Sequence, residues 1–242
     1  MAETRLKVQL LERTQDALGL IYAACRQCYS HSFAGDIFDK AAREEDPVKI
    51  REFVKNVIAS GHESPMEHVK FTFAIEGVSR ALTHQLVRHR VASYSQQSQR
   101  YVREKDFDYI IPPVFKKDER ILSRFVSMME YIQDGYDDIL AMLKEKGSEG
   151  EKANQDARFV LPQAAETKIV VTMNCRELKH FFSHRCCARA QWEIRALAAG
   201  MLDICRRELP EVFDGLGAKC EENKLCPEGE KFSCGKYPVK KR

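Results

Sequence analysis

The segment from Arg88 to Tyr101, RHRVASYSQQSQRY, places three cation-capable side chains (Arg88, His89, Arg90) just ahead of three serines, three glutamines and a further arginine. So many donors in one stretch repel or compete unless an anion resides among them. Guanidinium forks with hydroxyl groups suit a phosphate. Gln85 stands three residues before Arg88 on the same helical face, where its amide could read the edge of a base. The competing reading is a solvated polar surface.

A second cluster runs from Asn174 to Arg195, NCRELKHFFSHRCCARAQWEIR. Arg176, His180 and His184 are spaced four apart and share one polar helix face, while Arg185 follows Phe181 by four and borders the apolar side. A half-buried guanidinium calls for a carboxylate, a carbonyl or a substrate. Glu177 and Glu193 are the nearest internal candidates for a salt bridge. The third cluster, GHESPMEH, carries His62, Glu63, Ser64, Glu67 and His68. Histidines six apart across a helix cap are not a standard ligand spacing, so no metal is expected.

Hydrophobic periodicity supplies the framework for these clusters. Alternation predicts strands over 5–11, from Val69 to Ile75 and over 168–173. Helical spacing predicts helices over 14–27, 78–89 and 117–146, and a last one carrying Ala190 to Cys205. Asp46-Pro47 reads as the cap and first position of a helix running to about Ser60. Ser64 and Glu67 form a capping-box pattern, and Asn174 with Glu177 caps another helix. Strands and helices mix without a βαβα rhythm and without a glycine-rich βα turn. The expected class is therefore α+β, one domain with a mixed or antiparallel sheet flanked by helices. That domain is expected over residues 1–216. Residues 217–242, rich in Gly, Pro, Cys and Lys, read as a loosely packed tail.

The 242 residues are 44% hydrophobic and 31% charged, with a net charge of +3. Near-neutrality with local cationic spots points to a pocket for an anionic small molecule rather than a nucleic-acid surface. No run of ~18 apolar residues is present and the N-terminal segment is charged, so neither a membrane span nor a signal peptide is expected; the expected location is the cytoplasm. Nine cysteines, an odd number in such a chain, read as mostly free thiols. Cys25 and Cys28 form a CxxC inside a helical pattern, and the tail spacing of Cys220, Cys226 and Cys234 is not a common zinc pattern.

RHR followed by seven residues and a serine, Arg88 to Ser98, resembles the motif of flavin-dependent thymidylate synthases. HESPMEH and NCREL…HR…RAQWEIR resemble that family's other blocks in the same order, and the likeness spans about residues 5–213. The resemblance implies a homotetramer with active sites shared between subunits, FAD as cofactor, dUMP as substrate, methylenetetrahydrofolate as carbon donor and NADPH as reductant. No nucleic acid or membrane partner is implied. It places Ser64, Glu67, Arg88, His89, Arg90, Gln96, Asn174, Arg176 and His180 at the flavin. Gln85, Arg88, Gln96, Gln97, Ser98, Gln99, Arg100, Arg158 and Arg185 fall at the dUMP positions, with Arg185 catalytic through polarising the uracil near N3.

The chain also departs from the family. Ser95 and Gln96 stand where relatives often have Asn and Glu, and Arg189 where some have His. Two rival readings are a nucleic-acid-binding module using the basic stretch Arg88–Arg103 with Tyr94 and Tyr101 as stacking platforms, and a thiol-dependent methyltransferase attacking uracil through a cysteine such as Cys175 or Cys187.

Overall fold

Short alternating segments and well-capped helices set the architecture in a computed structural model, which describes residues 1–43 and 47–240. The chain order is β1 (Lys7–Arg13), α1 (Ala17–Gln27), α2 (Ala34–Ala42), α3 (Pro47–Ala59), β2 (Lys70–Ser79), α4 (Arg80–Leu86) and β3 (Ala92–Gln96). Then come α5 (Glu119–Glu145), α6 (Glu151–Ala157), β4 (Glu166–Asn174), α7 (Cys175–Arg185), α8 (Trp192–Glu208), α9 (Pro210–Phe213) and α10 (Lys219–Asn223). The strands hydrogen-bond in the order β1-β2-β4-β3. Antiparallel register shows in Thr72 Oγ1 meeting Thr172 Oγ1 at 2.9 Å while the Gly77 amide donates to Glu166 at 2.8 Å. The same holds between β1 and β2, where Lys7 pairs with Glu76 and the Thr14 amide donates to the Lys70 carbonyl. The protein is thus α+β with a four-stranded antiparallel sheet.

Contacts divide the chain into two compact units: residues 1–7, 74–88 and 94–170, and residues 8–73, 89–93 and 171–242. The first is organised by α5. Asp118 caps it by accepting from the Arg120 and Ile121 amides, a contribution of about 1 kcal/mol. Its inner face carries Met129, Gln133, Tyr136 and Leu140. Met129 packs with Phe107, Tyr109 and Ile111, and Tyr136 and Leu140 with Ala153 and Ala157 of α6. Gln133 on that face accepts from the Phe107 amide at 2.9 Å and donates to the Glu104 carbonyl at 3.2 Å, which pins the 104–107 loop. Gly77 bends β2 with φ of +70°, and a Cβ there would lie 1.9 Å from the Arg5 carbonyl oxygen, so only glycine fits.

The second unit buries Phe71 and Phe73 of β2, Phe181 and Phe182 of α7, and Phe213 of α9. Phe213 meets Phe71 edge-on at 5.6 Å and Phe182 at 6.0 Å. Its α7 begins at Asn174, whose side chain accepts from the Glu177 amide at 2.8 Å.

The structure corrects two of the expectations from sequence and adds a strand that none of them included. Ser64 and Glu67 form no capping box: the segment is a single 3-10 turn, Ser64–His68, with no side-chain cap bond. With Pro65 in its first positions the turn has one fewer amide to cap, and Glu67 is drawn instead to Arg176. β3 is a strand that periodicity does not mark, because ASYSQ lacks an apolar alternation; it lies at the end of the sheet order and is only half buried. The tail is not loose: Ala218, Cys220 and Cys226 are buried with Cys186, Cys187, Tyr237 and Val239 packed on them. The expected cap at Asp46 lies outside the described residues.

Candidate active site

The RHR sequence separates by burial. Arg88, assigned to the first unit, and Arg90 are exposed, whereas His89 between them is 6% exposed. The His89 ring stands edge-on to Phe181 at 4.9 Å. His89 Nε2 receives the Nε–H of Arg185 at 3.1 Å, and Nδ1 faces a Glu177 carboxylate oxygen at 3.2 Å. A guanidinium only donates, so Nε2 must be the lone-pair nitrogen and the ring proton sits on Nδ1, directed at Glu177. Burial, then the neighbouring Arg185 charge, lowers the imidazole to about 4 from its ordinary 6.5. Burial likewise lowers the Arg185 guanidinium and raises the Glu177 carboxyl.

The expected Arg185–Glu177 salt bridge is therefore relayed: a neutral imidazole stands between cation and carboxylate. Glu177, read as a capping residue, places its carboxylate on His89 as well as lending its amide to Asn174. Among the described residues, one set brings metal-ligating atoms within 4.8 Å of one another: His89, Glu177 and His180. A metal on His89 Nδ1 would move the ring proton to Nε2, where the Arg185 donor already sits, so the hydrogen-bonded arrangement opposes metal binding.

His180 lies on α7 with its ring 5.8 Å from His89 and 4.3 Å from His184, completing the polar face seen in the sequence. Arg176, on that helix, ion-pairs with Glu67 and with Glu63. Lys179 Nζ bonds Glu63 at 2.8 Å. Glu63, Arg176, Lys179, His180 and Ser183 line one side of an open cavity of about 730 Å3. Ser64 is exposed at the adjoining turn. Cations with hydroxyl and imidazole donors around a cavity of this size suit a ligand bearing phosphate groups.

The first unit gathers a different set. Arg80 Nη1 donates to the Gln97 carbonyl at 3.2 Å. Its guanidinium is lowered by burial, with the Glu104 carboxylate opposing and the Arg158 cation adding to that shift. Glu104 is raised chiefly by burial. Gln97 Oε1 and Gln99 Nε2 are buried without a hydrogen-bond partner; Gln99 lies beside Glu104, but no bond of acceptable geometry forms at its Nε2. Orphaned amide atoms beside two arginines fit a ligand bearing both a phosphate and hydrogen-bonding ring edges. Arg80 and Glu104 were missed in the sequence because they stand outside the dense motifs and reach it through the β2–α4 junction and the loop pinned by α5.

Other expected contacts go elsewhere. Gln96 donates to Thr83 and Thr167 at 3.2 and 3.3 Å, so its amide helps hold α4 and β4. Gln85 is half buried on α4, its carbonyl accepting from the Arg88 amide at 3.4 Å. Ser98 accepts from the Arg100 amide, while Arg100 ion-pairs with Glu151 and its guanidinium lies 5.3 Å from the Tyr101 ring centroid. Arg189 ion-pairs with Glu228 and stacks on Phe232 at 4.3 Å. Cys175 is buried, which pushes its thiol far up and suits core packing rather than nucleophilic attack. No helix among the described residues is long and apolar enough to cross a membrane.

Residues 9–211 match the family model described as thymidylate synthase complementing protein. The chain is 56% identical over 241 residues to a flavin-dependent thymidylate synthase of Nitratidesulfovibrio vulgaris, covering 99% of this chain and 98% of that one. It is 49% identical over 245 residues to a protein of the same name from Clostridium tetani, covering 98% and 96%. Its fold is similar to a crystal structure of the UMP/dUMP methylase PolB from Streptomyces cacaoi bound with 5-Br dUMP, with a TM-score of 0.72 at 21% identity, covering 88% of this chain and 95% of that one.

Proposed function

This chain belongs to the flavin-dependent thymidylate synthase family, and on that premise we propose that it reductively methylates dUMP to dTMP, with FAD as cofactor, methylenetetrahydrofolate as carbon donor and NADPH as reductant. The proposal includes a cytoplasmic homotetramer whose active sites lie at subunit interfaces, and the body–tail division near residue 216. Bound FAD would supply the hydride and one-carbon transfer chemistry.

The observation that carries the reading is the chain Glu177–His89–Arg185, in which a buried imidazole links a half-buried carboxylate to a half-buried guanidinium. A fixed cation in a poorly hydrated site stabilises negative charge as it develops on the uracil, which makes C5 nucleophilic. His89 and Glu177 act as positioning residues: the carboxylate holds the imidazole proton on Nδ1, and the lone pair thus left on Nε2 fixes the Arg185 guanidinium. Arg80 and Arg158 serve the substrate phosphate, and the unpaired Gln97 and Gln99 amide atoms serve its polar edges. Asn174, Arg176, His180, Ser64, Glu67, Arg88 and Arg90 serve the flavin.

The test is direct. Purified protein should be yellow with flavin absorbance, and should form dTMP from dUMP only when folate and reductant are both supplied. Colourless protein that FAD cannot reconstitute refutes the reading.

A further inference from the structure

Six of the eleven residues lining the 730 Å3 cavity beside Arg176 and His180 come from the last 26 residues of the chain, among them Lys219, Glu222, Asn223, Leu225 and Lys240. This segment lies beyond the 9–211 stretch that matches the family model. It is held firmly. The Cys226 amide donates to the Pro238 carbonyl at 2.7 Å and the Lys240 amide to the Cys226 carbonyl at 2.9 Å, which closes the segment on itself. Arg189 latches it to the loop after α7 through Glu228 and Phe232. Lys179 adds a bond to Glu222 at 3.5 Å.

The charges in the cavity do not cancel. Four cations line it (Arg176, Lys179, Lys219, Lys240) against two carboxylates (Glu63, Glu222), a surplus of two. Both carboxylates are spent on Lys179, and Glu63 also on Arg176. Lys219 and Lys240 have no carboxylate partner among the described residues. Two lysines lining a cavity on a braced segment, with no carboxylate partner among the described residues, favour a ligand of opposite charge.

We propose that the C-terminal segment builds a phosphate subsite in this cavity, with Lys219 and Lys240 binding the phosphate of a dinucleotide. Arg189, through Glu228 and Phe232, is the latch that holds the segment in place. The phosphate has two possible sources, the diphosphate of FAD and the 2′-phosphate of NADPH. The inference rests on the flavoenzyme reading. If that reading is wrong, the wild-type protein binds neither dinucleotide, a result distinct from any effect of the lysines.

The experiment compares wild type with a Lys219→Gln, Lys240→Gln double variant. FAD binding to apoprotein is followed by flavin fluorescence, and NADPH and NADH binding to holoenzyme by anaerobic flavin bleaching. The expected result is a Kd raised about tenfold for one dinucleotide, shrinking as salt is added, with dUMP binding unchanged. A loss for FAD assigns the diphosphate; a loss for NADPH but not NADH assigns the 2′-phosphate. If FAD and NADPH both bind within twofold of wild type, the proposal is overturned. Should the double variant fail to fold, Lys240→Gln alone and Arg189→Gln carry the same readouts and the same criterion.

Discussion

The chain Glu177–His89–Arg185 in one unit and the amides of Gln97 and Gln99 in the other are both polar groups at least partly withdrawn from solvent, yet they are finished to different degrees. In the first, His89 is bonded at both ring nitrogens: carboxylate, imidazole and guanidinium form a closed sequence that defines one tautomer and one cation orientation. In the second, two buried amide atoms, Gln97 Oε1 and Gln99 Nε2, complete no well-formed hydrogen bond, although Gln99 lies beside the Glu104 carboxylate. A completed network is already in its working geometry before substrate arrives. An incomplete one carries a desolvation penalty of about 1–3 kcal/mol per orphaned group, which a ligand can relieve. On the proposed function, the contrast separates residues that would position from residues that would bind.

The largest effect is expected at the end of the completed chain. Arg185→Ala should retain flavin absorbance and lose about 100- to 1000-fold in kcat, as removal of a single transition-state donor does elsewhere. Unchanged turnover would take Arg185 out of the chemistry.

Acid should open the same chain. The unfolded chain protonates His89 near 6.5, whereas the folded protein keeps it neutral to about 4. Stability should therefore fall as pH drops from 6.5 towards 4, by roughly 3 kcal/mol from this residue. Denaturant titrations of wild type and His89→Gln should show the variant with a shallower decline over that window; parallel curves would mean His89 is already charged in the fold.

Next in size is the carboxylate. Glu177→Ala should lower kcat about 10- to 100-fold through misplacement of Arg185, while Glu177→Gln, which still accepts from Nδ1–H, should stay within about threefold of wild type. Nitrogen-15 NMR of labelled histidines should find the His89 proton on Nδ1 in wild type and in the Gln variant, and not in the Ala variant.

The open cluster should respond with smaller and opposite signs. Gln99→Leu removes an orphaned donor, so the ligand-free protein should gain up to about 1 kcal/mol while dUMP binding weakens about tenfold. A variant that loses stability and binding together would show that Gln99 is already satisfied without ligand.

Much of this was legible in the residues alone. The alternation of Phe71, Phe73 and Ile75 marks a strand because one face must be buried, and the Asn174 cap and the stripe of Leu178, Phe181 and Phe182 mark a helix by the same local logic. Spacing of four put Arg176, His180 and His184 on one face. β3 and the firm packing of 217–240 were not legible, because neither carries the apolar periodicity that reports burial; one depends on a neighbouring strand and the other on Arg189 and on Cys186 and Cys187 from another part of the chain.

Sequence decides the features set by nearest-neighbour geometry: element type, caps, the helix face of each charged group, and the motif blocks that place the chain in its family. Only the tertiary structure decides which of three adjacent basic residues is buried, that Glu177 reaches Arg185 through an imidazole, that Arg80 and Glu104 join Gln97 and Gln99, and that the terminal lysines face Arg176 and His180. Protonation and pairing depend on burial and on partners up to about a hundred residues away, and no local pattern encodes either.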